Sequence, residues 1–142
     1  MAIKVIYEND YQGVLLTAES DFNGGDLYRV SQQIYQHEFI HLLRYQIVDF
    51  TQVDSVDIDI ETVQKIADLD RAAAEKNKGM KVAIIAEDNL LKYLSEAWEI
   101  FSENPWLETK ICSTMGDARE WLIKSELNRE NKTKNIQIEK KD

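Results

Sequence analysis

The residues best suited to chemistry in this 142-residue chain lie in one acidic stretch, from residue 49 to residue 61. The stretch has no lysine or arginine, and its carboxylates are Asp49, Asp54, Asp57, Asp59 and Glu61. Such oxygen ligands suit Mg²⁺ or Ca²⁺. An EF-hand is disfavoured, because Val56 and Ile60 interrupt the ligand pattern and the stretch has no glycine. A Mg²⁺ site shared with Glu87 or Asp88 is one hypothesis, but helix capping and solubility are the explanation that we favour.

Nucleophilic and acid–base catalysis have few candidate residues. The single Cys112 lies in a predicted short strand, where a buried structural thiol is the expectation. The two histidines, His37 and His41, fall at the end of a predicted helix and in the loop after it. No nucleophile elbow, phosphate-binding loop or dinucleotide fingerprint is present. We therefore expect a protein that is not an enzyme, with no catalytic residue, no metal and no cofactor.

The charge of the chain narrows the classes of partner. The formal net charge is −9, from 26 acidic and 17 basic residues, so the overall field repels nucleic acid and anionic membranes. The apolar runs are much shorter than the roughly 20 residues that a membrane helix needs. Residues 1–20 lack the pattern of a secretory signal. These features predict a cytoplasmic protein with no transmembrane segment and no nucleic-acid partner.

Apolar spacing and turn formers predict the first elements. Residues 3–7 and 13–18 are rich in strand formers and flank a polar break, which predicts a hairpin. The turn formers of residues 21–26 should end the second strand and cap a helix. That helix should reach about Phe39, with Leu27, Val30 and Ile34 on its apolar face.

The remainder of the chain alternates predicted strands and helices. Covered strands are expected at residues 42–50 and 81–86, and a last short strand at residues 107–113. Helices should run from about residue 63 to 76, with Gly79 as a stop, from about 90 to 101, and from 114 onward. We expect one domain at residues 1–126 and a charged, disordered tail at residues 127–142.

This order predicts an α/β fold with a single mixed sheet of about five strands and about four helices. Covered strands that alternate with helices require right-handed parallel crossovers, while the opening hairpin contributes an antiparallel pair. The strand ending at Phe50 and the strand ending at Ala86 should lie side by side and point in the same direction.

Four segments resemble STAS-type domains, in particular the SpoIIAA-like branch, which is also compared with the CRAL-TRIO lipid-binding fold. They are Arg44–Val53, Lys81–Ala86, the helix with Ala97-Trp98, and Ala118–Leu122. The resemblance implies a regulatory module that binds a partner. It departs at Asp57-Ile58-Asp59-Ile60, where anti-sigma-factor antagonists of this superfamily carry a phosphorylated serine or threonine. The phosphorylation switch is therefore not expected here, and we expect Asp59 to cap the next helix.

Two binding hypotheses from different classes follow. In the first, the module binds another protein through the predicted loop after the third strand, using Thr51, Asp54, Ser55, Asp57 and Asp59. In the second, which the lipid-binding comparison implies, it carries or senses a small apolar or lipid-like ligand in a groove between helices and sheet, lined by Tyr28, Tyr35, Tyr93 and Trp106. Exposed aromatic side chains would also favour a homodimer.

Overall fold

The computed structural model describes the backbone of residues 3–140 and the side chains of residues 3–127. Five strands form one sheet in the order β1-β2-β3-β4-β5. The β1–β2 pair is antiparallel and the other three pairs are parallel. The predicted mixed sheet is therefore confirmed, as is the parallel pairing of β3 with β4. The strands are β1 (Ile3–Glu8), β2 (Gly13–Asn23), β3 (Tyr45–Asp57), β4 (Met80–Ile85) and β5 (Leu107–Cys112).

Four α-helices cover the two faces of the sheet. They are α1 (Gly24–Tyr35), α2 (Ile60–Asn77), α3 (Asn89–Ser102) and α4 (Met115–Lys140). The first three pack on one side, which we call the three-helix face, and share its main hydrophobic core. Helix α4 packs on the other side, the α4 face, over a smaller core. No helix within the part of the chain described is long and apolar enough to cross a membrane.

Side-chain caps start the helices where the sequence predicted them. Asn23 accepts hydrogen bonds from the first turn of α1, Asp59 accepts one from the Thr62 backbone N–H at 2.8 Å, and Asp88 caps α3. Thr114 accepts a hydrogen bond from the Asp117 backbone N–H. At the end of α2 the left-handed C-cap is Lys78, and the predicted stop residue Gly79 follows it with a positive φ of 113°.

Strands β2 and β3 are longer than predicted, and this corrects the predicted loop after β3. The stretch with Thr51, Asp54, Ser55 and Asp57 is the second half of β3, which pairs in parallel with residues 19–23 of β2. Two register shifts interrupt this pairing, and each leaves one extra residue on the β3 side. The turn formers after residue 18 remain in a strand because this pairing satisfies their backbone. The predicted start of β3 was also too early, since residues 40–42 form a short 3-10 helix.

Strand β4 is the centre of the packing, because each of its residues is buried. Val82 and Ile84 point to the core of the three-helix face, whereas Ala83 and Ile85 point to the core of the α4 face. The continuous apolar pattern of this strand thus reflects cover on both sides. Cys112 is buried in the α4-face core with Ala118, as expected for a structural thiol.

The predicted domain end at residue 126 falls inside α4, whose backbone is helical from Met115 to Lys140. Trp121 and Leu122 pack inward against the α4-face core, as predicted. Side chains from residue 128 onward lie outside the described residues, so the boundary between domain and tail stays a prediction.

Candidate functional site

A cavity of about 60 Å³ lies on the three-helix face, between the sheet and helices α1, α2 and α3. Its walls are mainly apolar: β2, β3 and β4 form the floor, and the helices form the roof. Representative lining residues are Val48, Val82 and Ile84 from the sheet and Val63, Ile66 and Leu91 from the helices. The cavity is thus part of the main core, at the place where the helices pack over the central strands.

One buried carboxyl, Asp70 of α2, lines this apolar cavity. Its Oδ2 accepts a hydrogen bond of 2.7 Å from the Trp98 Nε1–H of α3, and its Oδ1 accepts one from the Tyr35 hydroxyl of α1. The Tyr35 oxygen in turn accepts a hydrogen bond of 2.7 Å from the Gln46 Nε2–H of β3. A single polar network therefore joins all three helices to the central sheet.

The cavity environment changes the acidity of this network. Burial raises the pKa of Asp70 to about 6, although the hydrogen bonds from Tyr35 and Trp98 act in the opposite direction. Burial and the neighbouring Asp70 raise the pKa of Tyr35 well above its ordinary value. Asp70 is therefore mainly ionised at pH 7 and becomes half protonated about one pH unit lower.

The hydrogen-bonding capacity of the network is set by its donor and acceptor groups. The donors to Asp70 are a phenol and an indole, and neither group ionises near neutral pH. Each carboxylate oxygen can accept more than one hydrogen bond, so Asp70 can offer an acceptor to a molecule in the cavity. The hydroxyl groups of Ser31 and Ser95 are the other buried polar side chains of its helical walls. A ligand that fits would be mostly apolar and would carry a hydrogen-bond donor.

The predicted partner-binding residues lie together at one end of the molecule. Thr51, Asp54, Ser55 and Asp57 are exposed along the second half of β3, and Asp59 follows as the cap of α2. Ser55 donates a hydrogen bond of 2.7 Å to Asp21 of the neighbouring strand. Among residues 3–127 no group of three or more potential metal ligands is assembled. The role of this acidic end in partner binding stays a prediction.

The four aromatic residues predicted to line a groove are placed differently from one another. Tyr35 is hydrogen-bonded to Asp70, and Tyr28 packs half-buried against the core of the same face. Tyr93 and Trp106 are exposed, and the Lys78 ammonium lies 5.8 Å from the centre of the Trp106 ring. None of the four lines the cavity itself. Their joint use in a groove, or in a homodimer, stays a prediction.

Asp70 is the site residue that sequence reasoning missed. The buried positions of α2 are Val63, Ile66, Ala67, Asp70, Ala73 and Ala74, so the aspartate is in phase with the apolar face. A charged residue on that face is unusual unless it is paired or hydrogen-bonded in the core. The position of Asp70 in the apolar repeat of α2 was therefore the sequence feature that could have identified it.

Solved structures with the same architecture support the fold. An uncharacterised protein of the DUF3478 family from Shewanella loihica PV-4, described as having a SpoIIAA-like fold, aligns with a TM-score of 0.54 and 19% identity over 85% of this chain and 92% of that chain. The anti-sigma factor antagonist SpoIIAA in its unphosphorylated form aligns with a TM-score of 0.55 and 12% identity over 85% and 97%. No family model and no curated protein sequence matches. The chain has a SpoIIAA-like fold, as its sequence segments predicted.

Proposed function

We propose that this chain is a non-enzymatic module of the STAS type that carries or senses a small, mainly apolar molecule with a hydrogen-bond donor. The observation that supports this proposal is the apolar cavity of the three-helix face, into which a single buried carboxyl, Asp70, is placed. The apolar body of the ligand would contact Val82, Ile84 and the helical roof. Its hydroxyl or amine would donate to Asp70.

The size of the cavity implies that the ligand opens it. An engineered apolar cavity of about 150 Å³ accommodates benzene, whereas this one measures about 60 Å³. A ligand of that size or larger must therefore move α1, α2 or α3 away from the sheet. Because the Asp70 network joins these helices, a donor that replaces Tyr35 or Trp98 at the carboxylate would couple ligand binding to helix position. Such coupling suits a sensor.

The Trp98 indole N–H gives a direct test, because it donates to Asp70. We expect benzyl alcohol to shift the Trp98 indole resonance in a ¹⁵N–¹H spectrum in a saturable way. Toluene, which has the ring but no donor, should bind more weakly. The Trp121 indole on the α4 face is the internal control and should not move. Val82→Ile, which fills the cavity floor, should weaken binding by about tenfold, the effect of about 1.4 kcal/mol.

Native mass spectrometry of the purified protein complements this titration, since a ligand retained from the expression host would appear as added mass. The proposal fails if no ligand is retained and benzyl alcohol shifts neither indole. It also fails if the alcohol and toluene act equally on Trp98 and Trp121, since that result describes non-specific solvent effects.

Protein binding through the acidic end is the second candidate function. Within the described chain, the pairing of β3 with β4 ends at Asp49, so the other edge of residues 50–57, which run along β2, carries no strand. The SpoIIAA-like fold is shared with an anti-sigma factor antagonist, which is consistent with a regulatory partner. Asp57→Lys should abolish capture of such a partner from the native host, whereas Asp117→Lys, at the start of α4, should retain it. Equal capture by both variants would exclude this surface.

A further inference from the structure

The α4 face carries a second concave site, distinct from the cavity, and we infer that it binds a small organic anion with an apolar group. A pocket of about 360 Å³ lies between the β1–β2 hairpin, the first residues of β3 and β4, and α4. Three cationic side chains line it: Arg44, Lys81 and Arg119. The inference concerns this pocket alone and does not depend on the function proposed for the three-helix face.

The charge of the pocket is opposite to that of the chain. The protein as a whole carries a formal charge of −9. Among the side chains described, three basic residues and one acidic residue, Glu126, line the pocket. Glu8 pairs with Arg119 from beside the pocket, so one positive charge remains there. A concave site with low-dielectric walls concentrates the field of such a cluster and attracts an oppositely charged ligand. The pocket therefore favours an anion on a molecule that otherwise repels anions.

Lys81 is the central group, because it is an ammonium within a buried strand. Its side chain is only 9% exposed, and its one ion pair with a residue of the described range 3–127 joins Nζ to Glu126 Oε2 at 3.4 Å. Glu126 is itself 45% exposed, so it compensates the buried charge weakly. An ammonium has three donors and its burial is costly unless it is well paired. An anionic oxygen in the pocket would supply the stronger partner.

The other two cations have different roles. Arg119 makes a bidentate pair with Glu8, and the Tyr45 hydroxyl also donates to Glu8, at 2.5 Å. The charge of Arg119 is therefore neutralised by Glu8, and its side chain forms part of the pocket wall. Arg44 has no carboxylate within 4.0 Å among the side chains described. Its guanidinium can approach a phosphate or carboxylate in a bidentate manner.

The apolar part of the ligand follows from the α4 side of the pocket. Leu122 and Ile123 line it there, opposite the polar side chains of the hairpin, Asn9 and Gln12. Inorganic phosphate could satisfy the cations but would leave this wall without contact. The geometry favours an anion attached to a ring or a short chain, such as a phosphate monoester or an aromatic carboxylate.

Isothermal titration with phenyl phosphate, benzoate and inorganic phosphate tests the inference and separates the two anion types. We expect phenyl phosphate or benzoate to bind saturably and more tightly than inorganic phosphate, and added salt to weaken the binding. Lys81→Met and Arg44→Gln should each weaken binding by about tenfold. Lys65→Met removes an exposed ammonium from α2, on the opposite face of the sheet, and should have no effect.

Folding of each variant is checked by its thermal unfolding midpoint. Lys81→Met leaves Glu126 in contact with solvent, so no buried charge is orphaned and the variant should fold. The inference is overturned if none of the three anions binds saturably, or if Lys65→Met weakens binding as much as Lys81→Met does. It is also overturned if inorganic phosphate binds as tightly as phenyl phosphate, because the apolar wall then contributes nothing.

Discussion

The two faces of the sheet hold carboxyl groups in opposite ways. On the three-helix face, Asp70 is buried and accepts hydrogen bonds from two neutral donors, Tyr35 and Trp98. Burial raises its pKa to about 6. On the α4 face, Glu8 pairs with the Arg119 guanidinium, and this partner lowers the pKa of Glu8 below its ordinary value. A neutral donor does not offset the desolvation of a carboxylate, whereas a guanidinium does. Acid should therefore increase the stability contributed by Asp70 on the three-helix face and decrease the stability contributed by Glu8 on the α4 face.

The largest expected effect is the pH dependence of stability that Asp70 creates. Because its pKa is raised in the folded state, its contribution to stability is fully present below pH 3.8 and is lost as the pH rises through about 6. The difference between the two pKa values corresponds to about 3 kcal/mol. The free energy of unfolding of Asp70→Asn, compared with that of wild type, should therefore rise by up to that amount between pH 3.5 and pH 7. Urea unfolding at a series of pH values measures this difference.

Trp98→Phe provides the second variant of this test. The indole N–H of Trp98 lowers the pKa of Asp70 in the wild-type protein. Its removal should raise that pKa, so the pH range over which Asp70 affects stability should move upward. Parallel stability curves for wild type and Asp70→Asn across this range would show that Asp70 has the same pKa in the folded and unfolded protein. That result would remove the contrast between the faces.

An intermediate effect is expected from enlarging two adjacent residues of β4 that point to opposite faces. Val82 lines the cavity, so Val82→Ile should add contacts and raise the free energy of unfolding by about 0.5–1 kcal/mol. Ala83 is fully buried in the α4-face core, and Ala83→Val should overpack it at a cost of about 1–3 kcal/mol. Chemical unfolding of both variants measures the difference. Equal changes would mean that the two cores are packed alike.

Local patterns predicted much of this architecture. The apolar spacing predicted four helices, the covered run at residues 81–86 predicted a central strand, and Asp59 capped α2 as expected. The four resembling segments predicted the SpoIIAA-like arrangement that the comparison structures share. These features depend on residues close together in the chain, which is why they could be inferred from sequence.

The site depends on contacts between residues distant in the chain. Asp70 meets Tyr35 and Trp98 across 35 and 28 residues, so its position on the apolar face of α2 could be noticed but its partners could not be identified. The second half of β3 was predicted as a loop because Asp54, Ser55 and Asp57 favour turns. Their pairing with β2 overrode that local preference. In both cases tertiary contacts decided the outcome.

The smallest expected effect is on the α4 face, where the Glu8–Arg119 pair connects the hairpin to α4 across 111 residues. The pair is partly exposed, so it should stabilise the fold by about 1 kcal/mol or less. Because the pKa of Glu8 is lowered in the folded state, this contribution is present above its ordinary pKa of 4.5 and is lost as the pH falls through the folded value. Glu8→Gln should therefore be less stable than wild type at pH 7 and equally stable in strong acid. Arg119→Met should lose the same increment, and the double variant no more than either single one. A deficit of Glu8→Gln that persists unchanged in acid would mean that Glu8 acts through packing, and the two faces would then no longer differ in how they hold a charge.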